Sequence, residues 1–203
     1  MHHRNSQKRY YLNGAIYFIT TVTRGCYPWF EEDIICRLFI DDLELCAAIK
    51  NFAVLGYKVN PDHVHLLIRP SAGHSFSEIM RSLKTNFSRN ANRLLAGWAG
   101  RNLPFRERTP AAHLPRLGKY IAMAESRYGG AIPLPALRWQ SSFHDHYIRD
   151  ADDLENHIRY LQRQWIIHGL RENKWLWIAP APPMKAGSRD PAFIGGGRDI
   201  ILT

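Results

Sequence analysis

Two histidines, His63 and His65, are separated by one valine at the start of an apolar run that continues through Ile68. In a β-strand, residues i and i+2 lie on the same face, so both imidazoles would point to one place. The apolar residues between and after them would point to the opposite face and pack into a core. Imidazole is a common metal ligand, so the pair supplies half of a metal site. A pair of solvated or core histidines fits the same pattern. A metal-dependent active site would also need a third ligand and a reactive group.

A helix about a hundred residues later offers both. Asp152 and Asp153 begin a helix of about sixteen residues, with the apolar stripe Leu154, Ile158, Leu161 and Trp165. A polar stripe about 90° away contains Asp153, His157, Tyr160, Gln164 and His168. Tyr160 and Gln164 are one turn apart on the same side, so one can react while the other holds a metal. An ordinary stripe at the boundary of the core is the alternative interpretation.

The elements that must position these residues follow from their periodicity. The pattern predicts a strand over residues 15–23, a helix over 31–51 and a second strand over 52–59. Asn60-Pro61-Asp62 has the right length and composition for a turn that folds the histidine strand back antiparallel.

A second amphipathic helix is predicted from Ser75 to about Leu95, with Ser75 and Glu78 as a capping box. A solvated face or contact with phosphates would both explain its basic side, which carries Arg81, Lys84, Arg89 and Arg93.

The remainder of the chain is less regular. Residues 96–136 are interrupted by glycines and prolines, which predicts a long loop or insertion with a short helix near 117–124. Another strand is predicted within 138–149. Beyond Trp177 the chain is rich in proline and glycine and reads as an extended appendage.

The composition indicates a globular protein with a polyanionic partner. The 203 residues carry 27 Lys+Arg against 18 Asp+Glu, a net charge of +9 that favours nucleic acid. The three cysteines are spaced ten residues apart without a C-x-x-C pair, so neither a disulfide framework nor a zinc knuckle is indicated. No stretch is long and apolar enough for a membrane span or a signal peptide, and we expect a cytoplasmic protein with no membrane partner.

These motifs together resemble the single-tyrosine HUH transposases, in which U is a hydrophobic residue, and more closely their REP-associated tyrosine transposase relatives. The similarity extends from residue 9 to about 170 and rests on Arg9-Tyr10-Tyr11, Gly14, Tyr17-Phe18-Ile19-Thr20, Pro61-Asp62-His63-Val64-His65, Trp139-Gln140, Phe143, Asp145-His146, Ile148-Arg149 and His157-Ile158-Arg159-Tyr160. The REP-associated group usually has an Asn-Pro pair where this chain has Gln164-Trp165. The glutamine is similar to that of the insertion-sequence transposases.

The resemblance implies a site and a reaction. It makes His63 and His65 metal ligands, Gln164 the third ligand and Tyr160 the nucleophile that forms a covalent 5′-phosphotyrosine with single-stranded DNA. The implied cofactor is a divalent metal, Mg²⁺ or Mn²⁺. Basic side chains at Arg81, Lys84 and Arg149 are expected to contact the DNA, a hairpin-forming or palindromic repeat.

The resemblance also implies an α+β, ferredoxin-like fold: an antiparallel sheet with helices packed on one face. We expect a catalytic domain over residues 1–170, a C-terminal appendage over 171–203, and a prokaryotic, nucleoid-associated protein. The sequence leaves open whether a homodimer combines Tyr160 with a partner's histidines. Two other functions also stay open: a domesticated hairpin-binding protein that does not cut, and a hydrolase that uses the histidine pair with a bound water.

Overall fold

The computed structural model describes residues 11–12, 14–97 and 114–180. Three parts of the sequence predictions lie outside the described residues: Arg9-Tyr10 of the motif, residues 98–113 of the expected loop and residues 181–203 of the expected appendage. The helices are α1 (Asp33–Lys50), α2 (Phe76–Leu94), α3 (Leu114–Tyr128) and α4 (Ala151–Ile167). The strands are β1 (Tyr17–Val22), β2 (Ala53–Val59), β3 (His63–Arg69), β4 (Leu95–Gly97), β5 (Ile132–Pro135), β6 (His144–Tyr147) and β7 (Leu176–Ile178).

Five strands form one antiparallel sheet in the order β6-β1-β3-β2-β7. The first four, joined through α1 and α2, have the strand order of a ferredoxin-like fold. The predicted α+β fold is therefore confirmed. The predicted turn at Asn60-Pro61-Asp62 is also confirmed: β2 and β3 pair antiparallel, and the Asn60 amide N–H donates to the His63 carbonyl at 2.9 Å.

The two faces of this sheet differ in chemistry because strand residues alternate. Val64, Leu66 and Ile68 lie on one face and join the core that α1 and α2 cover. The other face carries His63 and His65 beside a smaller apolar cluster, and α4 packs there through its fully buried Leu161. Helices thus cover both faces of the sheet, and the prediction that they pack on one face is wrong. Among the described helices, α4 alone lies on the histidine face.

A glycine sets how closely α4 approaches the sheet. Gly56 lies in β2, and a Cβ at this position would meet Leu161 Cδ1 and the Trp177 carbonyl oxygen, both at 3.3 Å. Its missing side chain lets Leu161 rest directly on the strand.

The caps of the first two helices follow from sequence. The Glu32 side chain caps α1, and Asn51 ends it in the left-handed conformation at φ 49°. The predicted capping box of α2 is present: the Ser75 hydroxyl accepts from the Glu78 amide, and the Glu78 carboxylate accepts from the Ser75 amide.

The segment over 96–136 contains more structure than its sequence suggested. α3 has 15 residues, about twice the predicted short helix, and contributes Leu117, Tyr120, Ile121 and Ala124 to the main core. These positions have the spacing three, one and three of an amphipathic helix, which the flanking glycines and prolines masked. β5 pairs in parallel with β4.

The last described segment completes the sheet. β6 lies within the predicted 138–149 strand and pairs with β1, while α4 has the predicted start and length. β7 pairs with β2 at the opposite edge, so the segment after residue 170 contributes a strand to the sheet. The division into two domains at residue 170 stays a prediction. Among the described residues, none of the helices combines the length and the apolar character needed to cross a membrane.

Candidate functional site

The two histidines lie side by side on the buried face of β3. His63 is 8% exposed and His65 is 3% exposed, and their ring centroids are 4.8 Å apart with the rings nearly perpendicular. Thr20 of β1 is the cross-strand neighbour of His65 in the antiparallel register. The predicted convergence of both imidazoles on one place is therefore present.

Hydrogen bonds orient both imidazoles in the same sense. The Nδ1 atom of His63 lies 2.6 Å from a carboxylate oxygen of Asp62, and the Nδ1 atom of His65 lies 2.8 Å from the Thr20 hydroxyl. In each ring the Nε2 atom points into the space in front of the sheet. A carboxylate behind a histidine fixes its tautomer and strengthens any bond that the ring forms to a metal, and Asp62 lies behind His63 in this way.

Gln164 brings the carbonyl oxygen of a fully buried amide to these Nε2 atoms. Its Oε1 accepts from His65 Nε2 at 3.0 Å and from Asn60 Nδ2 at 3.1 Å. Asn60 Nδ2 also donates to His63 Nε2 at 2.9 Å. The Asn60 amide nitrogen therefore lies between His63 Nε2 and Gln164 Oε1, and both of these acceptor atoms belong to predicted metal ligands.

This arrangement fits a divalent cation. The donor set of two imidazole nitrogens and an amide oxygen suits a transition metal. Two buried polar atoms, Asn60 Oδ1 and Gln164 Nε2, have no hydrogen-bond partner among the described residues. Buried polar groups without partners are uncommon in folded proteins and call for a ligand or an ion. A cation between His63 and Gln164 would take over the role that the Asn60 amide has here.

Tyr160 lies at the edge of the same site. It is 41% exposed, and its ring stands edge-on to the His65 ring with centroids 5.3 Å apart. Phe18 packs against both rings and separates them from the apolar cluster behind. Tyr160 lies one turn before Gln164 on α4, so an exposed phenol and a buried amide oxygen come together within a single chain.

Burial controls the protonation of the histidines. Desolvation, with a smaller contribution from the nearby His63, lowers the pKa of His65 to about 3 against the opposing effect of the Gln164 hydrogen bond. Burial and His63 also lower the pKa of His168. A neutral imidazole is the form that binds metal, so burial prepares His65 and His168 for this role at neutral pH.

A second cluster of possible metal ligands is formed by His146 of β6 and by two residues of α4, one to two turns before Tyr160. The ligand atoms of His146, Asp153 and His157 lie within 4.8 Å of one another, so this group could hold a metal ion by distance alone. Its carboxylate already accepts from His146 Nε2 at 2.9 Å and from the Arg149 amide and Nε at 3.1 Å. The arginine cation and these donors favour a structural role in which Asp153 fixes the start of α4 against β6.

The predicted DNA-contact residues lie in two places. Arg149 is exposed at the start of α4, on the histidine side of the sheet. Arg81 and Lys84 lie on α2, on the other side, and border a groove of about 470 Å³ that is closed by residues 140–143. Lys84 Nζ donates to the carbonyl oxygens of Gln140 and Ser142, which gives it a structural contact as well.

Sequence reasoning missed the contribution of several residues around the site. Asn60 was interpreted only as part of a turn, and Thr20 only as part of a strand. His168 was placed in the polar stripe without a role, yet its Nε2 lies 3.2 Å from Gln164 Oε1. The i, i+4, i+8 spacing of Tyr160, Gln164 and His168 was the available signal.

The comparisons with known proteins agree with this geometry. The family described as "Transposase IS200 like" matches residues 14–99, from β1 to just beyond β4. A protein of Haemophilus influenzae designated a REP-associated tyrosine transposase is 24% identical over 205 residues, covering 98% of this chain and 97% of the relative. The chain resembles the IS200-like and REP-associated tyrosine transposases. The resemblance inferred from the motifs is thereby confirmed.

A solved structure supports the fold independently. It is described as a REP-associated tyrosine transposase bound to a REP hairpin, and it matches with a TM-score of 0.57 at 17% identity. The match covers 92% of this chain and 98% of that chain. The fold of these transposases therefore extends over α4, although the matched family region ends before Tyr160.

Proposed function

We propose that the protein is a metal-dependent single-stranded DNA endonuclease and strand transferase, a transposase-like enzyme that cuts through a covalent 5′-phosphotyrosine at Tyr160. One observation carries the proposal. The Tyr160 ring lies 5.3 Å from the His65 ring, and His65 Nε2 lies 3.0 Å from the oxygen of Gln164. The candidate nucleophile and three groups that could bind a metal thus meet on the histidine face of the sheet.

His63, His65 and Gln164 would hold the metal. When bound, a divalent cation polarises a phosphodiester and offsets its negative charge, which lets an anionic nucleophile approach. Asp62 and Thr20 keep the two imidazoles in the orientation that presents Nε2. Phe18 keeps the inner side of the site apolar and leaves the outer edge, where Tyr160 is exposed, open to a strand.

The reaction at Tyr160 balances without a nucleotide cofactor. The phenol loses its proton and its oxygen forms a bond to phosphorus, while the bond from phosphorus to the 3′-oxygen breaks. The leaving oxygen takes up a proton and becomes a 3′-hydroxyl. The 3′-hydroxyl of another strand can attack the phosphotyrosine in the reverse sense, which gives strand transfer.

Charge and the relatives support a DNA hairpin as the substrate. The net charge of +9 favours a polyanion, and Arg149 is exposed on the same face as Tyr160. Arg81 and Lys84 border the groove at 140–143 and would contact a DNA segment that continues around the β6 edge. The hairpin specificity is carried over from the solved relative, whose description includes a REP hairpin.

An adduct assay tests the proposal. Because Tyr160 would keep the 5′-phosphate of the downstream fragment, an oligonucleotide labelled at its 3′ end should form a protein adduct that survives denaturation. The same oligonucleotide labelled at its 5′ end should release a free product. Tyr160→Phe should bind the hairpin and form no adduct, whereas Tyr27→Phe, an exposed tyrosine away from the site, should behave as the parent protein.

Three results would contradict the proposal. An adduct that persists in Tyr160→Phe would reject the nucleophile. Binding without product in any of Mg²⁺, Mn²⁺, Co²⁺ and Zn²⁺ would favour a domesticated protein that recognises hairpins without cutting them. Product formation that survives Tyr160→Phe but is lost in His63→Ala would indicate a hydrolase that uses a metal-bound water.

A further inference from the structure

The end of α4 places a third imidazole at the site. His168 is the C-cap of α4, one turn beyond Gln164 and two turns beyond Tyr160. Gly169 follows at φ 61°, a left-handed conformation that glycine adopts without strain. The Gly169 amide donates to Ile166 and the Leu170 amide donates to Trp165, which closes the helix and fixes the position of His168.

His168 is exposed, but its ring points toward Gln164 and His63. Its Nε2 lies 3.2 Å from Gln164 Oε1, and its ring centroid lies 4.8 Å from that of His63. Gln164 Oε1 is thus within hydrogen-bond distance of Nε2 in both His65 and His168. Two imidazoles, one from β3 and one from the end of α4, therefore border one buried amide oxygen, and the His63 ring lies beside both of them.

We propose that His168 is an additional metal ligand, and that the complete donor set of His63, His65, His168 and Gln164 selects a nitrogen-binding transition metal over Mg²⁺. This inference rests on the metal site of the proposed function and adds a ligand and a selectivity to it. The position at the mouth of the site leaves His168 accessible from solvent, so it would close the site over a cation held by the deeper groups.

The selectivity follows from ligand chemistry. Mg²⁺ prefers oxygen ligands in a strict octahedron and retains several waters, so a set with three imidazoles suits it poorly. Co²⁺ and Zn²⁺ bind imidazole more tightly, and Mn²⁺ is intermediate between them and Mg²⁺.

Cobalt binding tests the proposal with a readout that does not depend on catalysis. The full chain, stripped of metal, would be titrated with Co²⁺ while the visible absorption of the bound ion is recorded, and Mg²⁺ would be used as a competitor. His168→Ala and His168→Gln should weaken Co²⁺ binding by about 10-fold or more, since even residues behind the ligands contribute about 10- to 100-fold. Both variants should also change the cobalt spectrum and reduce the preference over Mg²⁺.

The two variants separate ligation from hydrogen bonding. His168→Gln retains a donor for Gln164 but loses the imidazole, so it should resemble His168→Ala if the ring binds metal. His144→Ala removes an exposed histidine of β6 and is the matched control, with unchanged binding. Unchanged affinity and spectrum in both His168 variants would overturn the proposal.

Further variants distinguish this outcome from failure of the proposed function. If His63→Ala abolishes Co²⁺ binding and Tyr160 still forms the adduct in the His168 variants with unchanged metal affinity, only the role of His168 is rejected. If Co²⁺ binding survives His63→Ala but is lost in His146→Ala, the ion occupies the second cluster, and both the proposed metal site and the role of His168 are rejected.

Discussion

The buried His65 should make the stability of the metal-free protein depend on pH in a way that one substitution removes. Its pKa is lowered to about 3, mainly by burial, against an ordinary value of 6.5. In the folded protein His65 therefore stays neutral at pH 5, whereas in the unfolded chain it takes up most of a proton. The unfolded state binds more protons, so its stabilisation lowers the free energy of unfolding as the pH falls below about 6.5.

The magnitude follows from the two pKa values. Between pH 7 and pH 5, protonation of one histidine with a pKa of about 6.5 stabilises the unfolded chain by about 2 kcal/mol, while the folded state gains almost nothing. This contribution is fully favourable above pH 6.5 and continues to be lost until the pH passes through about 3. It is a substantial part of the total stability of a typical domain.

Urea unfolding at pH 7 and pH 5 in the presence of a chelator measures the effect. The parent protein should lose about 2 kcal/mol more than His65→Gln over this interval. The glutamine retains polar atoms toward Thr20 and Gln164 but does not titrate. His144→Gln, the exposed control in β6, should leave the pH dependence of the parent unchanged. Equal losses in the parent and in His65→Gln would refute the argument that burial keeps this imidazole neutral.

Three other predictions concern charged residues around the site. Burial raises the pKa of Asp153, but the hydrogen bonds that it accepts outweigh this and hold the pKa well below its usual range. Asp153→Asn should therefore cost about 2 kcal/mol at pH 7 in urea unfolding, and the difference should shrink as the pH falls below about 4. Burial lowers the pKa of Lys58, whose ammonium donates to the Lys174 carbonyl and has no carboxylate partner among the described residues. Lys58→Met should therefore raise the unfolding free energy by about 1 kcal/mol, which thermal denaturation would detect. Arg81→Gln should weaken single-stranded DNA binding and reduce the slope of log affinity against log salt concentration by about 0.7, without loss of stability. Lys84→Met should weaken binding in the same way and should also lower the free energy of unfolding by about 1 kcal/mol. Equal stabilities of the two variants would contradict the structural contact of Lys84.

Much of the site could be predicted from local patterns. The spacing of His63 and His65 placed both rings on one strand face, and helical periodicity placed Tyr160 one turn before Gln164. These relations depend only on the geometry of one element at a time. The hairpin between β2 and β3 was also predictable because its turn residues lie next to each other in the sequence.

The rest depends on how elements meet. Thr20 reaches His65 only through the register between β1 and β3, and Asn60 reaches Gln164 across 104 residues of sequence. A single sequence contains no signal for either pairing. The length of α3 was underestimated for a different reason: its periodic core positions are surrounded by glycines and prolines that argue for a loop.

The orientation of α4 differs from the orientation that its apolar stripe predicts. Its sequence suggested that the apolar stripe would face the core and that the polar stripe would flank it. In the structure Leu161 is fully buried, but so is Gln164, while Leu154 and Trp165 are only partly buried. The helix is turned toward its polar stripe because the sheet beneath it presents histidines at one end and apolar side chains at the other.

That orientation has an energetic cost, and part of the cost falls at the candidate site. Gln164 Nε2 and Asn60 Oδ1 are buried without partners among the described residues, and each such group destabilises a fold by about 1 to 3 kcal/mol. An apolar side chain at position 164 would avoid the cost for Gln164, and the neighbouring residues of α4 show that apolar side chains fit this face. Departures from local rules concentrate where a protein trades stability for function. Two buried amides with unsatisfied atoms, next to oriented imidazoles and an exposed phenol, form such a departure. A bound cation would be a partner for the Asn60 oxygen, and an oxygen of a bound phosphate or water would be a partner for the Gln164 amide N–H.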